Sequence, residues 1–264
     1  MVQVIAHRGA KSLAPENTLA AAELAFEIGA DLWETDVQQT RDGCLVLYHD
    51  RTLERCTDIG SIFPDRTADP LQRFTYPELR MLDAGSFYSR TDPLGQICRG
   101  NVTPAQLLSY KGEKIPSVDQ ALAFTKKKQW RINLELKRYP GQESPDRLPE
   151  KTLSAIDASG LDARRVVISS FYHPWLERIQ IRKPRIRVQA LVGDDVTKSL
   201  DFGDFRFDTY NARADLITPA QVADLKHRGK TVNVFTVNDP EIFDSFRAMG
   251  VDGIFTDFPQ RFVP

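Results

Sequence analysis

What most limits the folds open to this chain is a repeated alternation of short apolar runs with stretches of helical spacing. The runs are Val2 to Ala6, Leu32 to Val37, Ile132 to Leu136, Val166 to Ser170, Ile186 to Val192, Val232 to Val237 and Gly253 to Thr256. Each has the length and branched-apolar character of a buried parallel strand. Helical patterns cover Thr18 to Ile28, Val118 to Lys128, Pro149 to Ala158, Pro174 to Arg182, Pro219 to Arg228 and Pro240 to Met249. The last four carry proline in the first turn, where its missing N–H leaves no bond unmade. The alternation predicts a TIM-type (β/α)8 barrel, a fold that commonly occupies about 250 residues. An open doubly wound sheet is the structural alternative. Seven strands are clear, and the eighth is sought around Phe205 to Asn211.

One domain spanning residues 1 to 264 is expected, with an excursion inserted from about 57 to 115. That segment is rich in Asp, Pro, Gly and Arg and breaks the alternation. Two readings of it stay open: one wall of a substrate cleft, or an irregular cap with no part in chemistry.

Charge excludes some partners. With 35 Lys+Arg against 36 Asp+Glu the formal charge is -1, so no net attraction draws the chain to nucleic acid or an anionic membrane. An anionic substrate must be held by local groups. The three cysteines, Cys44, Cys56 and Cys98, lack CxxC spacing, which argues for free thiols rather than a disulfide framework or a thiolate zinc site. No apolar stretch approaches the roughly 18 residues that span a bilayer, and Met1 leads straight into a strand-like run. A cytoplasmic protein without stable membrane anchoring is the expectation.

The first strand stops on His7-Arg8-Gly9, a titratable ring, a permanent cation and a flexible hinge. Glu34 and Asp36 alternate with Trp33, Thr35 and Val37 and so share one face of their strand. Glu135 and Lys137 repeat the relation in "NLELK". In "VQQTRDGCLVLYHD", Asp42-Gly43 signals a two-residue hairpin. Its register pairs Arg41 with Cys44, Val37 with Tyr48 and Asp36 with His49. Polar groups at the C-terminal ends of barrel strands converge on one mouth.

Three carboxylates brought together need a neutralising cation, and hard oxygen ligands suit Mg2+ or Ca2+ better than zinc. Glu34, Asp36 and Glu135 are therefore the candidate metal ligands. His7 and His49 are candidates for general acid and base, since imidazole titrates near neutral pH. Arg8, with its planar fork, and Lys137, as a point charge, could hold a phosphate. Asn17 has a structural reading as the N-cap of the helix after it. His173 and His227, beside helical segments, read as surface or packing residues.

With these residues in place, the sequence resembles the glycerophosphodiester phosphodiesterase family of the PI-PLC-like phosphodiesterase superfamily. "AHRGAKSLAPENTLAA" is similar to its HRG and PENT motifs, "WETDVQQTRDGCLVLYHDRTLERCTD" to its ExD, T-x-DG and HD block, and "INLELK" to its ExK strand. "IPSVDQAL", "VVISSFYHPWLERI", "VNVFTVND" and "GVDGIFTDFP" extend the likeness almost to the C-terminus, and Gly60 to Gly100 matches least.

The resemblance implies a barrel with a small insertion after the HD motif, one divalent cation, and hydrolysis of glycerophosphodiesters such as glycerophosphocholine or glycerophosphoethanolamine to glycerol 3-phosphate and an alcohol. It implies His7 and His49 as the acid–base pair, Glu34, Asp36 and Glu135 on the metal, and Arg8 and Lys137 on the phosphate. Phe235 stands where the family often has tryptophan, which keeps an aromatic wall for substrate without an indole N–H. Lysophospholipids or a phosphoinositol-type diester are alternative substrates for the same site. A Schiff-base role for Lys137 would leave the carboxylates and histidines without a joint purpose. A non-catalytic phosphodiester-binding barrel would have no use for the complete set.

Overall fold

The computed structural model describes residues 1–139 and 147–263. The strands that form the barrel are β1 (Gln3–Ala6), β2 (Leu32–Gln39), β4 (Ile132–Leu136), β5 (Val166–Ser170), β6 (Arg187–Val192), β7 (Thr209–Arg213), β8 (Thr231–Phe235) and β9 (Gly253–Thr256). Neighbours pair in parallel in the order β1-β9-β8-β7-β6-β5-β4-β2, and β1 pairs with β2 to close the ring. The result is the eight-stranded parallel barrel expected from the alternation.

Helices α1 (Leu19–Ile28), α6 (Val118–Lys127), α7 (Arg147–Ser159), α8 (His173–Arg182), α9 (Pro219–His227) and α10 (Pro240–Met249) link the strands. Pro219 and Pro240 open their helices, behind the N-caps Thr218 and Asp239. Strand alternation decides which side chains meet the helices and which fill the barrel. Trp33 faces outward, where its indole N–H donates to Thr125 Oγ1 of α6 at 3.0 Å. Ile5, Leu32, Val167 and Phe255 face inward as a small buried core, and burial of such a side chain contributes about 1.5–3 kcal/mol. A polar layer joins them: Asn133 Oδ1 accepts from Ser169 Oγ, Asn211 Nδ2 donates to Gln189 Oε1, and Asn233 Nδ2 donates to Asn211 Oδ1, each at 2.9 Å.

Two expectations need correction. The barrel strand sought around Phe205 to Asn211 is β7, sixth of the eight in chain order, and it runs over Thr209–Arg213. The aromatic run before it turns through Gly203 and Phe205, both with positive φ, and packs Phe202 and Phe207 into the core outside the strands. The strand itself turns Asn211 and Arg213 inward, so an apolar run is a poor guide to its position.

The hairpin from β2 to β3 (Leu45–Leu47) is also one residue out of the expected register. Val37 pairs with Leu47 and Gln39 with Leu45, leaving a loop from Thr40 to Cys44. Gly43, at φ 87, donates its N–H to Thr40 O at 3.0 Å, and Thr40 N donates to Cys44 O at 2.9 Å. Those bonds describe a three-residue loop with glycine in the left-handed position, the next commonest hairpin after the two-residue turn. Asp36 therefore faces Tyr48, whose N–H donates to Asp36 O at 3.0 Å, and His49 follows just past the ladder. β3 takes up the edge of β2 beyond the end of β1 and hangs on the barrel as a side strand.

The segment after His49 folds as a helical cap containing α2 (Ile59–Ile62), α3 (Tyr76–Met81), α4 (Ser86–Thr91) and α5 (Pro104–Tyr110). It has its own core, including Leu53, Cys56, Leu71, Phe74, Tyr88, Tyr110 and Ile115. Tyr88 and Tyr110 hydroxyls donate to Ser12 O and Leu13 O at 2.5 and 3.0 Å, pinning the cap to the loop that follows His7-Arg8-Gly9. Among the described residues no helix is long and apolar enough to cross a membrane.

Candidate active site

A cavity of about 570 Å³ opens at the C-terminal end of the barrel, with His7, Arg8, Glu34, His49, Glu135, Lys137 and Phe235 in its lining. None of the lining residues lies between 57 and 115, so the cap does not supply a wall of this cleft. Asp36 sits just beneath, 1% exposed. All the residues singled out in the sequence as chemically active meet here.

The chain reverses sharply to deliver the first of them. Arg8 and Gly9 have φ of 58 and 83, and a Cβ on Gly9 would lie 2.7 Å from Ala21 of α1. Only glycine fits that approach. The turn aims the Arg8 N–H at Glu34 Oε2, 2.9 Å away.

One ligand oxygen from each of Glu34, Asp36 and Glu135 lies within 4.8 Å of the others, and all three residues are buried. That spread fits a hard cation bonded at about 2.0–2.6 Å to each oxygen. Glu34 Oε1 is buried with no hydrogen-bond donor, an expensive state unless something else occupies it. The residues present therefore fit a divalent metal. Burial, then Asp36 and Glu135, push the Glu34 carboxyl above its ordinary range. Burial acts the same way on Asp36, but Lys137, Arg8 and His49 outweigh it and hold that carboxyl low.

Asn17 is not the helix N-cap expected of it. Thr18 caps α1 by accepting from Ala21 N at 3.1 Å, which frees Asn17, at φ 57, to turn its amide into the site. There Nδ2 donates to Asp36 Oδ2 at 2.8 Å, and Oδ1 accepts from Thr35 Oγ1 at 2.7 Å and Asp36 N at 3.1 Å. A four-residue loop motif thus orients a candidate metal ligand.

Each histidine is held by its own aspartate. His7 Nδ1 lies 2.6 Å from Asp257 Oδ1, and His49 Nδ1 lies 2.6 Å from Asp50 Oδ1. With Nδ1–H donated to a carboxylate, the ring's lone pair stays on Nε2. Burial, then Arg8, push the His7 imidazole down to about 4 against the pull of Asp257. Asp257 Oδ2 also accepts from Asn238 Nδ2 at 2.9 Å, and Lys11 Nζ lies 3.3 Å from Oδ1.

The two candidate phosphate cations are already engaged. Lys137 Nζ sits 2.5 Å from Glu135 Oε1 and 3.0 Å from Asp36 Oδ1; burial disfavours its charge, yet those carboxylates keep the ammonium above its ordinary range. Arg8 Nη1 donates to Glu16 Oε1 at 2.8 Å. Glu16 in turn takes Arg55 Nη1 and Nη2 at 2.8 Å each, and Arg55 Nε donates to Asp50 Oδ2 at 2.6 Å. Phe235 packs edge-to-face against Phe171 and Phe255 at 6.0 and 6.3 Å, forming an aromatic wall.

His173 and His227 stay out of the site. His173 Nε2 lies 2.9 Å from Leu191 O and its ring packs edge-on against Phe207, while His227 is exposed at the end of α9. Sequence reasoning missed Asp257, Asp50, Glu16 and Arg55. The signal for Asp257 was barrel closure: once β9 pairs with β1, Thr256 stands opposite Ala6 and the next residues meet.

A model of the glycerophosphoryl diester phosphodiesterase family matches residues 7–261. A glycerophosphodiester phosphodiesterase of Bacillus altitudinis is 34% identical, over 100% of this chain and 97% of its own. A solved structure from Silicibacter pomeroyi superposes with a TM-score of 0.82 at 26% identity, covering 99% of this chain and 91% of that one. An Oleispira antarctica phosphodiesterase, solved in complex with the product sn-glycerol-3-phosphate, superposes with a TM-score of 0.74 at 27% identity, covering 98% and 94%.

Proposed function

The chain belongs to the glycerophosphoryl diester phosphodiesterase family and is a glycerophosphodiester phosphodiesterase, and on that premise we propose that its substrates are small deacylated diesters. Glycerophosphocholine and glycerophosphoethanolamine are the leading candidates, cleaved to glycerol 3-phosphate and the free alcohol. The observation that carries this reading is the pair of aspartate-held histidines, His7 and His49, lining one cavity with the carboxylate cluster.

In this reading one imidazole Nε2 takes the proton from the attacking oxygen and the other donates a proton to the departing alkoxide; attack by water gives glycerol 3-phosphate directly, whereas attack by the substrate's own 2-hydroxyl gives a cyclic phosphate that water then opens to it. Glu34, Asp36 and Glu135 would hold Mg2+ or Ca2+, which when bound supplies Lewis-acid polarisation of a phosphate oxygen. Arg8 and Lys137 line the cavity and offer N–H donors to the remaining phosphate oxygens. The Phe235 wall takes the apolar edge of the glycerol.

Cavity size supports a small substrate, since about 570 Å³ falls in the usual 300–1,000 Å³ range for small-molecule sites. A lysophospholipid needs a groove for its acyl chain, and no residue of the cap lines this cleft. The test is product release from glycerophosphocholine, glycerophosphoethanolamine and lysophosphatidylcholine under Mg2+. Faster turnover of the two deacylated diesters supports the reading; preference for lysophosphatidylcholine overturns it.

A further inference from the structure

Arg55 makes two bidentate contacts at once. Nε and Nη2 donate to Asp50 Oδ2 and Oδ1 at 2.6 and 3.0 Å, and Nη1 and Nη2 donate to Glu16 Oε2 and Oε1 at 2.8 Å each. Four of the five guanidinium N–H groups are spent on two carboxylates. Each carboxylate serves a different side of the site: Asp50 holds His49 Nδ1 at 2.6 Å, and Glu16 holds Arg8 Nη1 at 2.8 Å. His49 stands just beyond β3, whereas Arg8 belongs to the turn after β1. One chain of side-chain bonds, His49 to Asp50 to Arg55 to Glu16 to Arg8, links them, while Arg8 also reaches Asp36 and Glu34 directly.

We propose that Arg55 is a positioning residue that couples His49 to Arg8, and that the cap contributes to catalysis by anchoring this clamp. The inference rests on the assignment of His49 and Arg8 to the reaction. The backbone around Arg55 is built into the cap. Leu53 and Cys56, on either side, are buried in the cap core, Thr52 bridges to Pro70, and Leu71 N donates to Arg51 O at 2.8 Å. Thr57 Oγ1 donates back to Leu53 O at 2.6 Å. The two readings of the segment therefore resolve into a third: it lines no wall of the cleft, yet it fixes a residue on which both sides of the site depend.

Lysine cannot replace this arginine, because a point charge cannot make two planar forks. A role of charge alone would tolerate the exchange; a role of geometry would not. The experiment compares wild type, Arg55→Met and Arg55→Lys for kcat and KM on glycerophosphocholine with Mg2+, alongside thermal unfolding. A second readout is the ring ¹⁵N spectrum of His49 at pH 8.

Both variants are expected to lose about 10–100-fold in kcat, as for other outer-shell partners of site residues, with KM changed by no more than about twofold. Added guanidinium is expected to restore part of the Arg55→Met loss. The His49 ring is expected to pass from a single Nδ1–H tautomer to a mixture. A kcat for Arg55→Met within about threefold of wild type, or full recovery in Arg55→Lys, overturns the proposal. If wild type turns over no diester, the assigned reaction falls instead; the ¹⁵N spectrum then decides the clamp, and an unchanged tautomer in both variants refutes it.

Discussion

His7 and Asp257 stand 250 positions apart in the chain and 2.6 Å apart in space, imidazole Nδ1 against carboxylate Oδ1. Barrel closure brings them together, since β9 lies beside β1 and both residues follow the last paired positions, Ala6 and Thr256. The carboxylate fixes which ring nitrogen carries the proton. Asp257→Asn keeps the shape but no longer enforces the Nδ1–H tautomer. Its kcat is expected to fall about 10–100-fold, with the unfolding temperature little changed. Steady-state kinetics beside a thermal melt checks both parts.

Asn17 offers a test of how the carboxylate site is oriented. Asn17→Gly retains a residue suited to φ 57 while deleting the bonds to Asp36 and Thr35. Each buried group left unpaired costs about 1–3 kcal/mol, so a clear drop in unfolding temperature is expected. Mg2+ affinity, measured by calorimetry, is expected to weaken about 10–100-fold.

Glu34→Gln is expected to act in opposite directions with and without metal. Burial, then the charges of Asp36 and Glu135, holds the Glu34 carboxyl above its ordinary range, so its ionisation destabilises the metal-free fold at neutral pH. Neutral glutamine removes that penalty, and the EDTA-treated variant is expected to melt higher than wild type. Bound Mg2+ at 100 times its Kd would stabilise wild type by about 2.7 kcal/mol. The variant is expected to lose that gain, which melts in EDTA and in Mg2+ will show.

Glu16 gives a pH signature. Burial raises its carboxyl, but the bond from Arg55 and the charge of Arg8 outweigh burial and bring it from 4.5 to about 2. A carboxyl lowered in the fold stabilises it fully above the unfolded pKa, and that contribution disappears as pH falls from about 4.5 to 2. Its size is on the order of 3 kcal/mol. Wild type is expected to lose stability over that window faster than Glu16→Gln, as denaturant titrations at several pH values would reveal.

Much of this architecture was legible in the chain, for reasons that also explain the misreadings. Apolar runs with proline-led helices between them mark strands whose outward faces meet helices, as with Trp33 and Thr125. β7 was misplaced because its inward face is polar, with Asn211 bonded to its neighbours across the barrel. Asp42-Gly43 signals a hairpin, but the dipeptide alone does not distinguish a two-residue turn from a loop closed by Gly43 in the left-handed position. The candidate site residues are readable because they cluster at strand ends. Their partners were harder to see, because Asp257 acts only across the closed barrel and Arg55 only through a cap whose fold the local pattern does not announce.

Release of glycerol 3-phosphate from glycerophosphocholine, followed in wild type, His7→Ala, His49→Ala and Glu135→Ala with EDTA and then with Mg2+ restored, is the most direct test. The account expects wild-type release that stops in EDTA and returns with Mg2+, and folded variants that stay inactive under both conditions. Undiminished release in EDTA by metal-stripped wild type, or near-wild-type turnover by either histidine variant, would contradict it.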